Sequence, residues 1–400
     1  MSAQPEAQSG SAALQNSRDW RRVAYLTLVS RALDELEEKT LVPERKIFYQ
    51  FSARGHDMAQ ILLGLRLTHR DDAICGYYRS RPVLLALGVD PADALGSSMA
   101  RAGGYSDGRD IGAVFNYPNA GGCSALPMCG GVGAQYTPTA GWAQALTYRA
   151  SVLKEDCGDA IAVALGGDAS VATNGFWSAL TMATTLSLPM LFYIEDNGYG
   201  ISVPSTFQTP GADIAANLGS FRQLQILSGD GADPESAARL IDEAVTSVRE
   251  QRKPVLLRLT VPRLEGHSFQ DTQTYKPETL VKSEWARDPL PRLKDYLANI
   301  LGEAEWSNLT AEAARAVEEA RAAAEARPVT DLARTTRHVF FEDEMQAKGG
   351  QHTKNYSAPA STDEPAPEGQ RINMVTAIRR TLEHELTVNP RVLVFGEDVG

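Results

Sequence analysis

Two polar residues that follow apolar runs are the strongest candidates for chemistry in this sequence. Asp168 follows the run Ile161–Leu165 and two glycines, and Asn197 comes shortly after the run Met190–Ile194. A carboxylate, an amide oxygen and nearby backbone carbonyls are too few oxygens for Ca²⁺, but they suit Mg²⁺, which keeps waters and takes further ligands from substrate phosphates. The pattern therefore favours a magnesium site facing a phosphorylated ligand. A plain crossover whose Asp and Asn only cap turns would give the same spacing.

The elements that must position these two residues form one strand-helix-strand unit. Both apolar runs have the composition of strands buried on two faces. Between them, Gly175–Ser187 places apolar residues at helical spacing and stops before Pro189. Because right-handed parallel crossovers bring both strand ends to one sheet edge, we expect Asp168 and Asn197 to lie close together. The glycines would let a diphosphate approach the backbone near a helix N-terminus.

Composition excludes several classes of protein. The 400 residues are 43% hydrophobic and 22% charged, as in globular proteins, and the formal net charge of −11 argues against a nucleic-acid partner. No apolar run is long enough to span a membrane, and the N-terminus lacks the pattern of a signal peptide. The four cysteines are too few and too irregular for a disulfide framework or a structural zinc site. We therefore expect a cytoplasmic protein without a membrane partner.

The rest of the chain continues an alternation of helices and strands around a long loop region. This alternation predicts an α/β fold, with a parallel sheet flanked by helices on both faces. The Gly-, Asn- and Pro-rich segment 102–141 is predicted to be a functional loop region. The further predicted elements are helices over 19–39, 52–68, 141–150, 235–251 and 372–386, a helix pair over 303–326, and strands over 221–228, 254–261 and 392–395.

The Asp168 and Asn197 pattern resembles the thiamine diphosphate motif, in which Gly-Asp-Gly is followed at a distance by Asn. With Gly198-Tyr199-Gly200-Ile201-Ser202 after it, the stretch is most similar to the α subunit of the thiamine-dependent decarboxylating component of 2-oxoacid dehydrogenase complexes. Two residues depart from the pattern. Ala169 replaces the second Gly, and Asp196 stands where relatives often have a first Asn. Ala169 can still offer its backbone N–H, provided that its φ is negative.

The resemblance implies a role for each matching residue. Asp168, Asn197 and the carbonyl of Tyr199 would hold Mg²⁺ on the diphosphate, and His267, in a Gly-His-Ser loop, would act on the substrate side. The residues expected to contact the cofactor are Tyr78, Arg79, Gly130, Val132, Gly167, Asp168, Ala169, Ser170, Asn197 and Tyr199. Taken singly, an exposed Arg79, a turn at Gly130 and a structural His267 are the alternatives.

The same resemblance implies a reaction. Thiamine diphosphate loses the proton between its ring sulfur and nitrogen, attacks the carbonyl of a 2-oxo acid and serves as electron sink for decarboxylation. The acyl group would pass to the lipoyl group of a partner acyltransferase. Phe48-Tyr49 and the stretch 200–204 favour a branched-chain acid of the 3-methyl-2-oxobutanoate type. Pyruvate dehydrogenase, a transketolase-like enzyme and a non-catalytic diphosphate-binding scaffold are the alternatives.

The predicted domain organisation has four parts. Residues 1–17 are expected to be disordered, 18–346 to form the α-like thiamine diphosphate-binding domain, and 347–370 to be a linker. Residues 371–400, with Gly396-Glu397 after the predicted strand, resemble the start of the partner β subunit. In this family the pyrimidine-binding domain of that subunit carries the activating glutamate. The resemblance thus implies a fused chain that works as a homodimer. A chain ending at Gly400 is expected to be inactive and either to be prone to aggregation or to self-associate.

Overall fold

The computed structural model describes residues 18–110, 112–128, 130–337 and 371–395. The predictions of a disordered segment over 1–17, a linker over 347–370 and a Gly-Glu pair at 396–397 fall outside these ranges. The described chain divides into two compact units: residues 18–147 with 157–332, and residues 148–156 with 333–337 and 371–395. The domain boundaries drawn from the sequence remain predictions.

A six-stranded sheet forms the centre of the first unit. Its strand order is β2-β1-β3-β4-β8-β7, and every neighbouring pair is parallel. A separate antiparallel hairpin follows β4, and its strands β5 and β6 are two residues long each. The strands are β1 Ala73–Cys75, β2 Ser124–Ala125, β3 Ala162–Gly167, β4 Met190–Asp196, β5 Tyr199–Gly200, β6 Val203–Pro204, β7 Gln225–Asp230 and β8 Val255–Thr260. In the register of β3 and β4, Gly167 lies opposite Glu195, so the residues that follow both strands emerge side by side.

Helices of the first unit connect the strands and cover the sheet, and the described part of the second unit contributes one helix, α12. The α-helices are α1 Trp20–Leu36, α2 Asp57–Gly64, α3 Arg81–Ala86, α4 Pro91–Ser98, α5 Tyr136–Ser151, α6 Asn174–Leu186, α7 Ile214–Asn217, α8 Pro234–Gln251, α9 Glu278–Trp285, α10 Pro289–Tyr296, α11 Glu303–Ala326 and α12 Met374–Val388. A π-helical turn, Glu37–Leu41, continues α1, and a 3₁₀ turn, Ser170–Ala172, precedes α6. No helix among the described residues is both long enough and apolar enough to cross a membrane.

Alternate strand residues build two separate cores. Val163 and Leu165 join the larger apolar cluster, which also takes residues of α1, α2, α8 and α11. Ala162 and Ala164 point the other way and pack in a second cluster with residues of α5, α6 and α7. Since successive side chains of a strand face opposite sides, a sheet with two such clusters is covered by helices on both faces. The predicted fold class is confirmed.

Backbone conformation explains two wrong boundaries. The predicted helix 52–68 begins only at Asp57, because Gly55 has φ +94°, which an α-helix does not tolerate. The predicted strand 221–228 begins only at Gln225, because Gln223 has φ +64° and turns the chain just before the strand.

Other boundaries differ because short or exposed elements carry little periodic signal. The predicted helix 141–150 begins five residues earlier, at Tyr136, and the predicted loop region 102–141 therefore contains the first turn of α5 as well as β2. The predicted helix pair over 303–326 is the single helix α11. Residues 392–395 are not a strand; among the described residues they have no neighbouring strand with which to pair.

Candidate active site

A cavity of about 490 Å³ opens at the carboxyl ends of β3 and β4. In open parallel sheets this is the edge at which ligands bind. Its wall includes every residue that the sequence predicts for the site: Tyr78, Arg79, Gly130, Val132, Gly167, Asp168, Ala169, Ser170, Asn197, Tyr199 and His267. The fold thus gathers into one cavity residues that are spread over nearly two hundred positions of the chain.

Asp168 and Asn197 are neighbours, as their places at two strand ends predict. The backbone N–H of Asn197 donates to Oδ1 of Asp168 over 3.4 Å. The other carboxyl oxygen, Oδ2, is buried and has no hydrogen-bond partner among the described residues. Burial, helped by the nearby Asp196, raises the pKa of Asp168 to about 7. A cation beside Oδ2 would compensate for both the burial and the missing partner.

Asp196 has partners of its own. Its carboxylate forms an ion pair with Arg258 at 2.6 Å and accepts the backbone N–H of Gly198 at 3.1 Å. The charge that replaces the first Asn of the motif is thus paired with an arginine outside the cavity lining, and it still contributes to the raised pKa of Asp168. Among the described residues, no three His, Cys, Asp or Glu side chains converge as a metal cage. The oxygens at this edge are one carboxylate, one amide and backbone carbonyls, which is a set suited to Mg²⁺ with waters and phosphates.

Ala169 fits the place of a glycine. Its φ is −70° and its ψ −31°, so the methyl group causes no backbone strain. The methyl group points towards Gly200, where an added Cβ would lie only 2.7 Å from it. Next to it, the hydroxyl of Ser170 donates to the carbonyl of Gly167 at 2.6 Å and bonds the hydroxyl of Tyr136 at 2.5 Å. Because these contacts engage the hydroxyl, Ser170 is better placed to offer its backbone N–H.

The glycine-rich segment 130–133 lies against the start of α6. At Gly133, which has φ +89°, an added Cβ would strike the hydroxyl of Thr173, the N-cap residue of α6, at 2.1 Å. This close approach explains the glycine and fixes the segment beside the start of α6. Gly130 and Val132 line the cavity, and Val132 is 55% exposed although it is apolar.

Arg79 is buried and links the cavity to the loop that carries His267. Its guanidinium donates to the backbone carbonyls of Ser52 and, at 3.2 Å, of His267. The ring of Tyr78 lies 5.6 Å from the guanidinium. Arg79 forms no ion pair with any described residue, so its charge is available to an anion in the cavity.

His267 belongs to an aromatic cluster. Its ring meets those of Phe51 and Tyr78 edge to face, at 5.1 and 5.5 Å, and Tyr49 contacts Phe51 at 4.5 Å. The backbone N–H of His267 donates to Asp271 at 2.6 Å, which fixes the loop. Burial, with the positive charges of Arg79 and Arg263 nearby, lowers the pKa of His267 to about 4. The imidazole is therefore neutral near pH 7, with one nitrogen able to donate and the other able to accept.

Arg263 is a site residue that the sequence did not reveal. It lines the cavity and is only 1% exposed. Its guanidinium contacts the hydroxyl of Tyr275 and lies 5.7 Å from the ring of Tyr199. No described carboxylate forms an ion pair with it, and burial together with Arg79 lowers its pKa. A buried cation without a counter-ion calls for an anionic ligand.

Comparison with known proteins agrees with this geometry. The family profile described as Dehydrogenase E1 component matches residues 25–333, well over half of the chain. The chain belongs to this family. The predicted resemblance, to the α subunit of a thiamine diphosphate-dependent E1 component, is confirmed at this level.

Individual relatives of this E1 family member carry two kinds of name. The chain is 27% identical over 283 residues to "Pyruvate dehydrogenase E1 component subunit alpha-3, chloroplastic" of Arabidopsis thaliana, covering 70% of this chain and 64% of the relative. It is 32% identical over 266 residues to "Pyruvate dehydrogenase E1 component subunit alpha" of Zymomonas mobilis, covering 65% and 71%. It is 26% identical over 275 residues to "2-oxoisovalerate dehydrogenase subunit alpha 2, mitochondrial" of Arabidopsis thaliana, covering 66% and 53%. The chain thus spans between about half and seven tenths of these relatives.

A second group that the sequence did not reveal lies behind the cavity of this E1 chain. Glu195, at the end of β4, is fully buried, and its Oε2 accepts from the hydroxyl of Tyr77 at 2.7 Å and from the amide of Gln60 at 2.9 Å. Burial raises the pKa of Glu195 to about 8. Gln60 also donates to the carbonyl of Arg79 at 3.3 Å, so the network ties the end of β4 to the Tyr77-Tyr78-Arg79 segment.

Proposed function

We propose that this chain is the α-like part of an enzyme that uses thiamine diphosphate and Mg²⁺ to decarboxylate a 2-oxo acid oxidatively. The acyl group would pass to the lipoyl group of an acyltransferase component of the same complex. One observation carries the proposal: the buried, unpartnered Oδ2 of Asp168 lies at the same cavity as Asn197 and two buried arginines without ion pairs. A metal–diphosphate ligand supplies both the cation and the anion that these groups lack.

The chain's own residues fit such a ligand. Asp168, Asn197 and the Tyr199 carbonyl would hold Mg²⁺, while Arg79 and Arg263 would balance the phosphate charge. When bound, the cofactor supplies a nucleophilic carbon and an electron sink for decarboxylation. The neutral imidazole of His267 would donate a hydrogen bond to the oxygen of the substrate's oxo group. The aromatic rings around His267 would keep water away from it.

For the substrate, we propose a branched-chain 2-oxo acid of the 3-methyl-2-oxobutanoate type. The rings of Tyr49, Phe51 and Tyr78 give the cavity an apolar wall beside His267. Burying a larger apolar side chain against such rings favours it over a methyl group. Pyruvate is the competing candidate, because two of the relatives described above carry pyruvate dehydrogenase names.

We also propose that a β-like pyrimidine-binding domain covers the cavity and brings the activating glutamate that the family resemblance implies. Ile201 and Val203 line the cavity yet are 60% and 44% exposed, and Phe207, just beyond them, is 82% exposed. Exposed apolar patches of this kind mark interaction sites. Residues 371–400 would begin such a domain, since α12 carries an exposed apolar stripe that includes Met374 and Ile378. The fused protein would then be a homodimer.

Two measurements on the full-length protein test the proposal. Calorimetric titration with thiamine diphosphate should give binding that requires Mg²⁺ in the wild type and is lost in Asp168→Ala. Asp233→Asn is the control, because this residue caps α8 away from the cavity and Asn caps equally well. Unchanged affinity in Asp168→Ala would refute the metal assignment.

A second assay identifies the preferred substrate. It measures the decarboxylation of 3-methyl-2-oxobutanoate, 4-methyl-2-oxopentanoate and pyruvate with an artificial electron acceptor. A higher kcat/KM for pyruvate would overturn the branched-chain assignment and leave the reaction class intact. Magnesium-dependent cofactor binding with no turnover of any 2-oxo acid would favour a scaffold.

A further inference from the structure

We propose that His56 is a positioning residue that fixes the side-chain amide of Asn197, so that its oxygen is presented to the metal. This inference rests on the proposed function, in which Asn197 is a magnesium ligand. His56 does not line the cavity and lies outside the thiamine diphosphate motif. It acts on the site through Asn197 alone.

The fold holds His56 rigidly. It is the N-cap residue of α2 and is completely buried. The preceding Gly55 has φ +94°, and a Cβ there would lie 1.9 Å from the carbonyl oxygen of Pro262. Only glycine allows this approach, which presses the turn before α2 against the chain just after β8. The imidazole therefore has a fixed place beside the end of β4.

The hydrogen bonds determine which way the Asn197 amide faces. Its Nδ2 lies 3.2 Å from Nε2 of His56, and its Oδ1 accepts the backbone N–H of Tyr199 at 3.1 Å. An amide nitrogen can only donate, so Nε2 of His56 accepts, and Nδ1, which is buried without a hydrogen-bond partner among the described residues, carries the hydrogen.

A second contact fixes α2 to β4 in the same register. Gln60 lies one helical turn after His56, on the same face of α2. It bonds Glu195, which lies two residues before Asn197 on the same side of the chain leaving the sheet. The two contacts, His56 with Asn197 and Gln60 with Glu195, form a polar ladder between helix and strand end. This ladder prevents α2 from sliding and keeps His56 opposite the amide.

Loss of the His56 contact should weaken metal binding rather than cofactor binding. Without an acceptor at His56, the NH₂ group of Asn197 loses its buried partner, and rotation of the amide would turn hydrogen atoms instead of a lone pair towards the metal. Outer contacts that orient metal ligands are typically worth about 10- to 100-fold in metal affinity. Affinity for thiamine diphosphate at saturating metal should change much less, because His56 touches none of the groups proposed to bind phosphate.

The test compares His56→Leu with His56→Gln in the full-length protein. Mn²⁺ serves as the probe, since it accepts the same oxygen ligands, and its binding in the presence of thiamine diphosphate is followed by electron paramagnetic resonance. We expect about a 10- to 100-fold weaker Mn²⁺ affinity in His56→Leu. His56→Gln, whose amide oxygen can accept from Asn197, should restore most of it. Ile61→Val, a buried change on the same helix, controls for lost packing and should leave the affinity unchanged.

The proposal would be overturned if all three variants bound Mn²⁺ with the same affinity. It would also be overturned if His56→Leu and His56→Gln lost Mn²⁺ affinity to the same extent. If His56→Leu does not fold, His56→Asn replaces it; this amide is too short to reach Asn197, and wild-type affinity in that variant would also overturn the proposal. A wild-type protein that binds neither Mn²⁺ nor thiamine diphosphate would instead refute the proposed function itself.

Discussion

Replacing Asp168 by asparagine should make the cofactor-free protein more stable at alkaline pH while abolishing its use of magnesium. The folded-state pKa of this carboxyl is about 7, against an ordinary value of 3.8, because the group is buried beside Asp196. A carboxyl with a raised pKa stabilises the fold below the unfolded-state value, and this contribution is lost as the pH rises through the folded-state value. For Asp168 this loss of stability occurs over the pH range from 3.8 to about 7.

The magnitude follows from that window. Between about pH 5 and about pH 8 the wild type should lose about 3 kcal/mol of this contribution, at about 1.4 kcal/mol per pH unit up to the pKa. The amide introduced by Asp168→Asn keeps the oxygen that accepts the N–H of Asn197 and leaves its nitrogen without a partner, which costs about 1–3 kcal/mol at any pH. That cost does not depend on pH. It therefore cancels when the two pH values are compared.

Urea denaturation of both proteins, with EDTA and without thiamine diphosphate, measures this difference. The free energy of unfolding of Asp168→Asn relative to the wild type should rise by about 3 kcal/mol from about pH 5 to about pH 8. Asp233→Asn, the same substitution at the N-cap of α8 outside the cavity lining, is the control. A relative stability of Asp168→Asn that is the same at both pH values would refute the buried, unpaired carboxylate on which the metal site depends.

Three further predictions concern the cavity. His267→Ala should bind the cofactor normally and lower kcat about 100-fold, since the residue acts on the substrate; an unchanged kcat would make it structural. Gly200→Ala should weaken cofactor binding about tenfold or more, because its Cβ would lie 2.7 Å from the methyl of Ala169; the control Gly141→Ala, with nothing within 4 Å, should not. Phe51→Ala should lower kcat/KM about tenfold more for 3-methyl-2-oxobutanoate than for pyruvate, and equal losses would contradict the role of the aromatic wall.

The sequence could predict those site residues that occupy strand ends. Strand and helix periodicity placed β3, α6 and β4 within one or two residues, and crossover handedness then put Asp168 next to Asn197. For the departure at Ala169 the sequence could state only the condition, a negative φ, and the structure supplies the value of −70°. Local structure predicted that Asp168 and Asn197 lie together, whereas their interpretation as a cofactor motif depended on the family resemblance.

The supporting residues could not be found this way. His56 lies at the start of a helix whose boundary the sequence misplaced, and its role depends on a contact with Asn197, 141 positions away. Arg263 is informative only because it is buried without a carboxylate partner. Neither the burial of a given charged residue nor the absence of a counter-ion can be predicted from the sequence. Burial and pairing arise from tertiary packing, so such residues appear only in the folded structure.

The charges of the cavity imply that metal and cofactor bind together. Asp168 has an unpartnered buried oxygen, while Arg79 and Arg263 are buried cations without ion pairs. Mg²⁺ alone would compensate for the carboxylate and worsen the repulsion among the cations, whereas a diphosphate alone would meet the arginines and face the carboxylate. Each ligand therefore relieves the charge that opposes the other, and by linkage each should raise the other's affinity by the same factor. Calorimetric titration should give the affinity of each ligand with and without the other. The factor by which thiamine diphosphate raises the affinity for Mg²⁺ should equal the factor by which Mg²⁺ raises the affinity for thiamine diphosphate, and both should be well above one. Factors near one would show that the arginines and Asp168 do not act on a single bound pair.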